Sequence, residues 1–233
     1  MNRVIVEPPK KGIVFRGSKE YWDERYKKGG TSGPGSYNRL SYYKAEVVNA
    51  FITEHRLKSC IEWGCGDGNQ LSLMKYSNYL GLDISEKAIE ICKDKFSHDS
   101  TKEFKTINKE LIVSKKYDLS ISLDVIYHLI EDDVFKKYID SLFSSSRAFV
   151  CIYSSNVDTE QCGYYNHIRH RKFTDYIENH IPKWRLYRIV ENKYPYNEKD
   201  TFNTSFCDFY FYKKKNILDY LKKPFLSCGA EFV

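Results

Sequence analysis

Apolar and polar positions follow two rhythms along this chain. After a loose lead-in, 1–17, in which Pro8-Pro9 breaks regular structure, two stretches repeat at helical spacing. Residues 18–28 (SKEYWDERYKK) carry a Ser cap candidate and place Tyr21, Trp22 and Tyr26 at helical intervals. GGTSGPGS, 29–36, interrupts as a Gly- and Ser-rich loop. Residues 37–56 resume a helix with Leu40, Tyr43, Val47, Val48 and Phe51 on one side. Short apolar runs then alternate with amphipathic ones. Strands are expected at 59–63, 79–84, 103–107, 117–123 and 147–154, and helices at 68–76, 86–96 and 131–143. This order predicts an α/β fold, a doubly wound, mainly parallel sheet covered on both faces. Residues 185–191 and 205–212 read as strands with no helix between them, so an antiparallel pair is expected at one edge. One structural domain is predicted, with 1–56 as an N-terminal lead-in and helical lid and 57–233 as the ligand-binding body.

Composition changes this picture little. The 233 residues are 42% hydrophobic and 29% charged, which fits a sizeable globular core. Aromatic residues reach 16%, with 20 Tyr, a side chain that joins apolar area to a hydroxyl. Net charge is +6 and dispersed, compatible with an acidic or phosphorylated small substrate or with nucleic acid. Seven scattered Cys without a CxxC pair argue for reduced thiols in a cytoplasmic protein, against a disulfide scaffold or zinc site. No metal-ligand spacing stands out. No 18-residue apolar run predicts a membrane span, MNRVIVEPPKKG lacks the apolar region of a signal peptide, and nothing in the sequence marks an oligomeric state.

The chemistry begins at IEWGCGDGNQ, 61–70. Glycines at 64, 66 and 68 follow a short apolar strand and precede a turn, where ligands of open parallel sheets bind. The dinucleotide fingerprint fails because Asn69 stands where its third Gly is needed. The phosphate loop fails because Asn69-Gln70 follows Gly68 instead of Lys-Ser/Thr. Glu62, Gly64, Gly66 and Gly68, with Asp83 at the end of the next strand, resemble the class I S-adenosylmethionine-dependent methyltransferases over roughly residues 58–155. The resemblance implies a Rossmann-like methyltransferase fold and S-adenosylmethionine as cofactor. Glu62, Gly64, Cys65 and Gly66 would lie against its methionine and ribose portions, and Asp83 would accept both ribose hydroxyls. Ile84 would flank the adenine, Asn108 would meet its amine, and Leu123 would line the same site. Tight packing alone is the alternative reading of the glycines.

The fourth strand ends SLDVIYHL, with Asp124 and His128 four apart and turned to one side. Methyl transfer needs a held nucleophile and, when the acceptor carries a proton, a base. His128 is the candidate base and Asp124 its partner; a structural His is the alternative. The pair resembles phosphoethanolamine (phosphobase) N-methyltransferases. That likeness implies lid tyrosines at Tyr21 and Tyr26, with Tyr26 sharing the proton work, a contact from Tyr37, an ammonium held by Asp124, and a phosphate held by Tyr165, Arg169 and Arg171. The chain also resembles bacterial surface-glycan and capsule-associated methyltransferases through GGTSGPGSYNRL and HRKFTDYI, which implies a sugar hydroxyl or sugar-linked group as acceptor. Nucleic acid is disfavoured: no recognition domain is appended and no Asn-Pro-Pro-Tyr/Phe signature follows the fourth strand. A non-catalytic, cofactor-binding protein remains the other class; thermal shift and cofactor consumption on adding an acceptor separate the two.

Overall fold

A computed structural model describes residues 17–108, 111–158 and 167–216. Its centre is a seven-stranded sheet of order β3-β2-β1-β4-β5-β7-β6. The strands are β1 Cys60–Trp63, β2 Tyr79–Asp83, β3 Lys102–Thr106, β4 Tyr117–Leu123, β5 Ser146–Ser154, β6 Trp184–Val190 and β7 Asp208–Lys214. The first five run parallel, and β7 pairs antiparallel with both β5 and β6. The expected antiparallel edge is there, with the later strand inserted between its predecessors.

Side chains alternate across this sheet as strand geometry requires. Phe149, Cys151 and Tyr153 of β5 join one core with Val48 and Phe51 of α2 (Asn38–His55) and Ile89 and Cys92 of α3 (Glu86–Lys95). Val150 and Ile152 of the same strand join the other. There they meet Phe135, Ile139 and Leu142 of α4 (Asp132–Ser144) and Phe173 and Ile177 of α5 (Phe173–His180). Both faces are therefore covered, which explains why the inner strands read as nearly continuous apolar runs. The remaining helix, α1 (Ser18–Lys27), lies against the carboxyl ends of the strands: Ser18 Oγ donates to the His128 carbonyl (2.8 Å) and Ser85 Oγ donates to Asp23 (2.9 Å).

One local expectation changes. The helix expected at 68–76 is only a 3-10 turn, Gln70–Leu73. Asn49 of α2 stops it, since its amide donates to Leu73 O (3.0 Å) and its carbonyl oxygen accepts from Lys75 N–H (2.9 Å). Helix α5 begins within YYNHIRHRKFTDYI, where the sequence allowed a basic helix start on the surface as the alternative to a substrate-side segment. Its apolar contacts are Phe173 and Ile177, four apart in a stretch whose basic residues draw attention first. Among the described residues no helix is long and apolar enough to cross a membrane.

Candidate active site

The strand ends β1, β2 and β4 and the overlying α1 enclose a cavity of about 270 Å³. Ten residues singled out in the sequence line it: Tyr26, Glu62, Gly64, Cys65, Gly66, Asp83, Ile84, Leu123, Asp124 and His128. The turn after β1 needs left-handed backbone, with φ of 85° at Gly64 and 57° at Gly66. The side-chain directions of these glycines meet protein. A Cβ on Gly64 would strike Val125, and one on Gly66 would strike Ser32 Oγ and come within 3.0 Å of Tyr26 Oη. Gly66 thus lets the N-terminal segment seat directly on the turn.

That segment is pinned by reciprocal bonds. Ser32 N–H donates to Asp67 Oδ2 (2.9 Å), Asp67 N–H donates back to Ser32 Oγ (3.0 Å), and Tyr37 Oη donates to the same Asp67 oxygen (2.8 Å). Tyr26 Oη and Ser32 Oγ share a hydrogen bond of 2.9 Å. Tyr26 therefore lines the cavity, whereas Tyr37 holds the cover from outside it. Burial pushes the Tyr26 hydroxyl well above its ordinary range, so it stays protonated near neutral pH. Tyr21 also stands outside the cavity, stacked on His167 with ring centres 4.6 Å apart.

The end of the cavity floored by β1 and β2 presents both hydrogen-bond donors and acceptors. Asp83 Oδ2 accepts Gly66 N–H and Oδ1 accepts Ser85 N–H, each at 2.9 Å. The carboxylate keeps acceptor capacity that a ligand hydroxyl could use. Burial raises Asp83 to about 6 and Glu62 to about 7, and Glu62 Oε2 accepts the Tyr79 hydroxyl at 2.6 Å. Gln70, which sequence reasoning missed, lines the cavity with a buried Oε1 that has no partner, while its Nε2 donates to Ser41 O (3.0 Å). A buried acceptor left open in this way suits a ligand donor such as an ammonium. Ile84 and Ile107 supply apolar walls. Ile107 lines the cavity, whereas its neighbour Asn108, the sequence candidate for the adenine amine, is exposed and outside the lining.

At the end of β4 the chain turns through a left-handed Asp124 (φ 60°), and a 3-10 turn, Ile126–His128, brings His128 to the same cavity. His128 Nδ1 lies 2.9 Å from the His167 carbonyl. A carbonyl only accepts, so Nδ1 carries the hydrogen and Nε2 the lone pair. Burial lowers His128 to about 3, so the ring is neutral at physiological pH. Trp22 meets it edge-on at 4.9 Å. Asp124 is paired with a residue the sequence reading passed over: Lys44 Nζ lies 2.5 Å from its Oδ2. The signal was there, since Lys44 stands four residues from both Leu40 and Val48, inside the buried stripe of α2.

The arginines have a different employment from the one expected. Arg171 donates to the carbonyls of Leu129 and Ile130 and to Asp132 (2.9 Å), and its guanidinium lies over Phe135 at 4.9 Å. Arg169 donates to Ile130 O (2.9 Å) and pairs with Asp132 (2.8 Å). Neither lines the cavity, and Tyr165 lies outside the described residues. Arg171 clamps the β4–α4 connection. Arg171→Ala is expected to destabilise the protein by about 2–4 kcal/mol, because buried carbonyls lose their donor. A melting temperature within 1–2 °C of the parent, the shift expected from roughly 0.5 kcal/mol or less, would remove it from that role.

A family model described as a methyltransferase domain matches residues 61–142. No protein in the comparison with curated sequences matches the chain. Magnesium protoporphyrin IX methyltransferase (ChlM) from Synechocystis PCC 6803, solved with S-adenosylhomocysteine, superposes with a TM-score of 0.61 at 16% identity, covering 84% of this chain and 98% of that one. N-methyltransferase NodS from Bradyrhizobium japonicum WM9, also with S-adenosylhomocysteine, gives 0.60 at 11% identity, covering 76% and 87%. An S-adenosylmethionine-dependent methyltransferase from Clostridium acetobutylicum ATCC 824 gives 0.56 at 16% identity, covering 77% and 93%. At these identities the likeness speaks for the fold, and the matched domain speaks for the chemistry carried on it. The chain thus carries a methyltransferase domain over residues 61–142, on a fold it shares with solved S-adenosylmethionine-dependent methyltransferases.

Proposed function

We propose that the protein methylates a small polar acceptor held beneath α1, with His128 as general base. Bound S-adenosylmethionine supplies an electrophilic methyl group on a sulfonium. Glu62, Asp83, Gln70 and the glycine turn hold it, and Tyr26, Ser32 and Ser36 exclude water above it. The observation that carries the reading is the His128 tautomer: a neutral ring in the cavity wall with Nδ1–H committed to the His167 carbonyl. Nε2 is the nitrogen left to take the acceptor's proton.

Between the two acceptor classes raised by the sequence, the arginines favour a sugar hydroxyl over a phosphorylated amine. A phosphate inside the cavity needs a guanidinium there, whereas Arg169 and Arg171 stand outside its lining and bond Asp132 and backbone carbonyls.

The test is an acceptor screen with methyl-labelled S-adenosylmethionine against nucleotide sugars, phosphoethanolamine and tRNA. Label on a nucleotide sugar is the expected result. Label on phosphoethanolamine alone would restore Arg169 and Arg171 as phosphate anchors, and label on tRNA alone would overturn the small-acceptor reading. Tight cofactor binding with no transfer across a broad panel would favour a binding protein.

A further inference from the structure

Lys44 is the only lysine among the described residues that is fully buried, with 1% of its side chain exposed. It rises from the middle of α2 into the space behind the end of β4. Its Nζ is 2.5 Å from Asp124 Oδ2 and 5.4 Å from the centre of the Tyr153 ring. Asp124 Oδ1 accepts the Tyr127 hydroxyl at 3.1 Å, and the Cys207 thiol lies against the same carboxylate. The loop above closes the remaining approach, since a Cβ on Gly35 would come within 2.8 Å of Asp124 Oδ2. The carboxylate at the acceptor end is therefore already neutralised and enclosed. The other carboxylate within reach of the Lys44 charge, Glu62, is occupied by the Tyr79 hydroxyl.

An ammonium entering here would meet a lysine that already holds the counter-charge. Three charges of net positive sign would then share a site largely withdrawn from water, a costly arrangement. We propose that Lys44 is a specificity-determining residue: by pairing with Asp124 it restricts the acceptor to uncharged groups such as hydroxyls and excludes ammonium-bearing ones. The device acts by repulsion of the unwanted ligand, one of the two routes to specificity. This inference rests on the reading of the cavity as the site of methyl transfer, and it narrows the acceptor by charge.

The experiment is calorimetric titration of ethanolamine and phosphoethanolamine into protein saturated with S-adenosylhomocysteine, for the parent, Lys44→Met and Lys44→Arg. The parent and Lys44→Arg are expected to bind neither amine. Lys44→Met, with Asp124 unpaired, is expected to gain at least tenfold in affinity for both. Tight binding of an amine by the parent overturns the proposal. So does a Lys44→Met protein that keeps its S-adenosylhomocysteine affinity and gains nothing. Lys44→Gln, which still offers a donor to Asp124, is the second variant if the methionine does not fold, and the same gain is expected of it. If neither variant folds, amine binding by the parent decides alone. Failure of the parent to bind S-adenosylhomocysteine would strike at the proposed function instead, which keeps the two failures distinct.

Discussion

Asp83→Ala is expected to weaken S-adenosylhomocysteine binding at least about tenfold, and nearer a hundredfold if both ribose hydroxyls are lost, because each charge-assisted hydrogen bond is worth about 1.5–3 kcal/mol. The side chain is oriented before any ligand arrives, by Gly66 N–H and Ser85 N–H. Its burial gives the interaction a pH dependence with a definite sign. Burial raises the free carboxyl to about 6, and binding through two accepted hydrogen bonds favours the charged form. Below pH 6 a proton must leave before the ligand is held well, so affinity falls as pH falls. The alanine variant should lose that slope together with its affinity. Unchanged affinity by calorimetry at pH 7.5 would remove Asp83 from the ribose.

His128→Ala is expected to leave cofactor affinity within about threefold of the parent and to reduce turnover by about 10²–10⁴, the usual contribution of a positioned base. The pH profile separates this from a structural role. With its ring lowered to about 3, His128 remains an unprotonated acceptor down to mildly acid pH. His128 should therefore contribute no limb near 6.5, the ordinary histidine value, and a fall in turnover between about pH 7 and 6 follows Glu62, Asp83 and cofactor binding; Asp83→Ala should shift that fall and His128→Ala should not. The result that sinks the base assignment is His128→Ala with parental turnover on the acceptor found by the screen. Loss of cofactor affinity in step with turnover would mean that the ring mainly supports the turn at 126–128.

What could be read in advance was whatever depends on neighbours along the chain. Glu62, the glycine turn and Asp83 are legible because a strand, a left-handed turn and the end of the next strand must follow one another to make that floor. The sheet class followed from run lengths and their order. What escaped depends on partners far apart in sequence. Lys44 is 80 residues from Asp124, and Ser32 is 35 from Asp67. Its place in the apolar stripe of α2 marks Lys44 as buried, but nothing local names Asp124 as its partner. The bonding of the arginines was hidden for the same reason: a guanidinium that caps a carbonyl 41 residues away looks, in the sequence, like one awaiting a phosphate. That Ile107 and not Asn108 lines the cavity was not legible because β3 ends at Thr106, where period-2 alternation stops fixing which side chain points inward.

The insertion of β7 between β5 and β6 also bears on how the chain is made. During synthesis β5 emerges with one side paired to β4 and the other open, and its only partner on that side is β7. Sixty residues separate the end of β5 at Ser154 from the end of β7 at Lys214, which a ribosome adds in about 3–12 s. Through that interval a strand containing Phe149, Val150, Cys151 and Ile152 presents unsatisfied amides and carbonyls to its surroundings. Strand β6 is complete earlier but cannot protect it, because β6 reaches the sheet only through β7. The nascent protein is thus most exposed to strand-to-strand association with its neighbours late in translation, after nearly all of its catalytic residues have already been made.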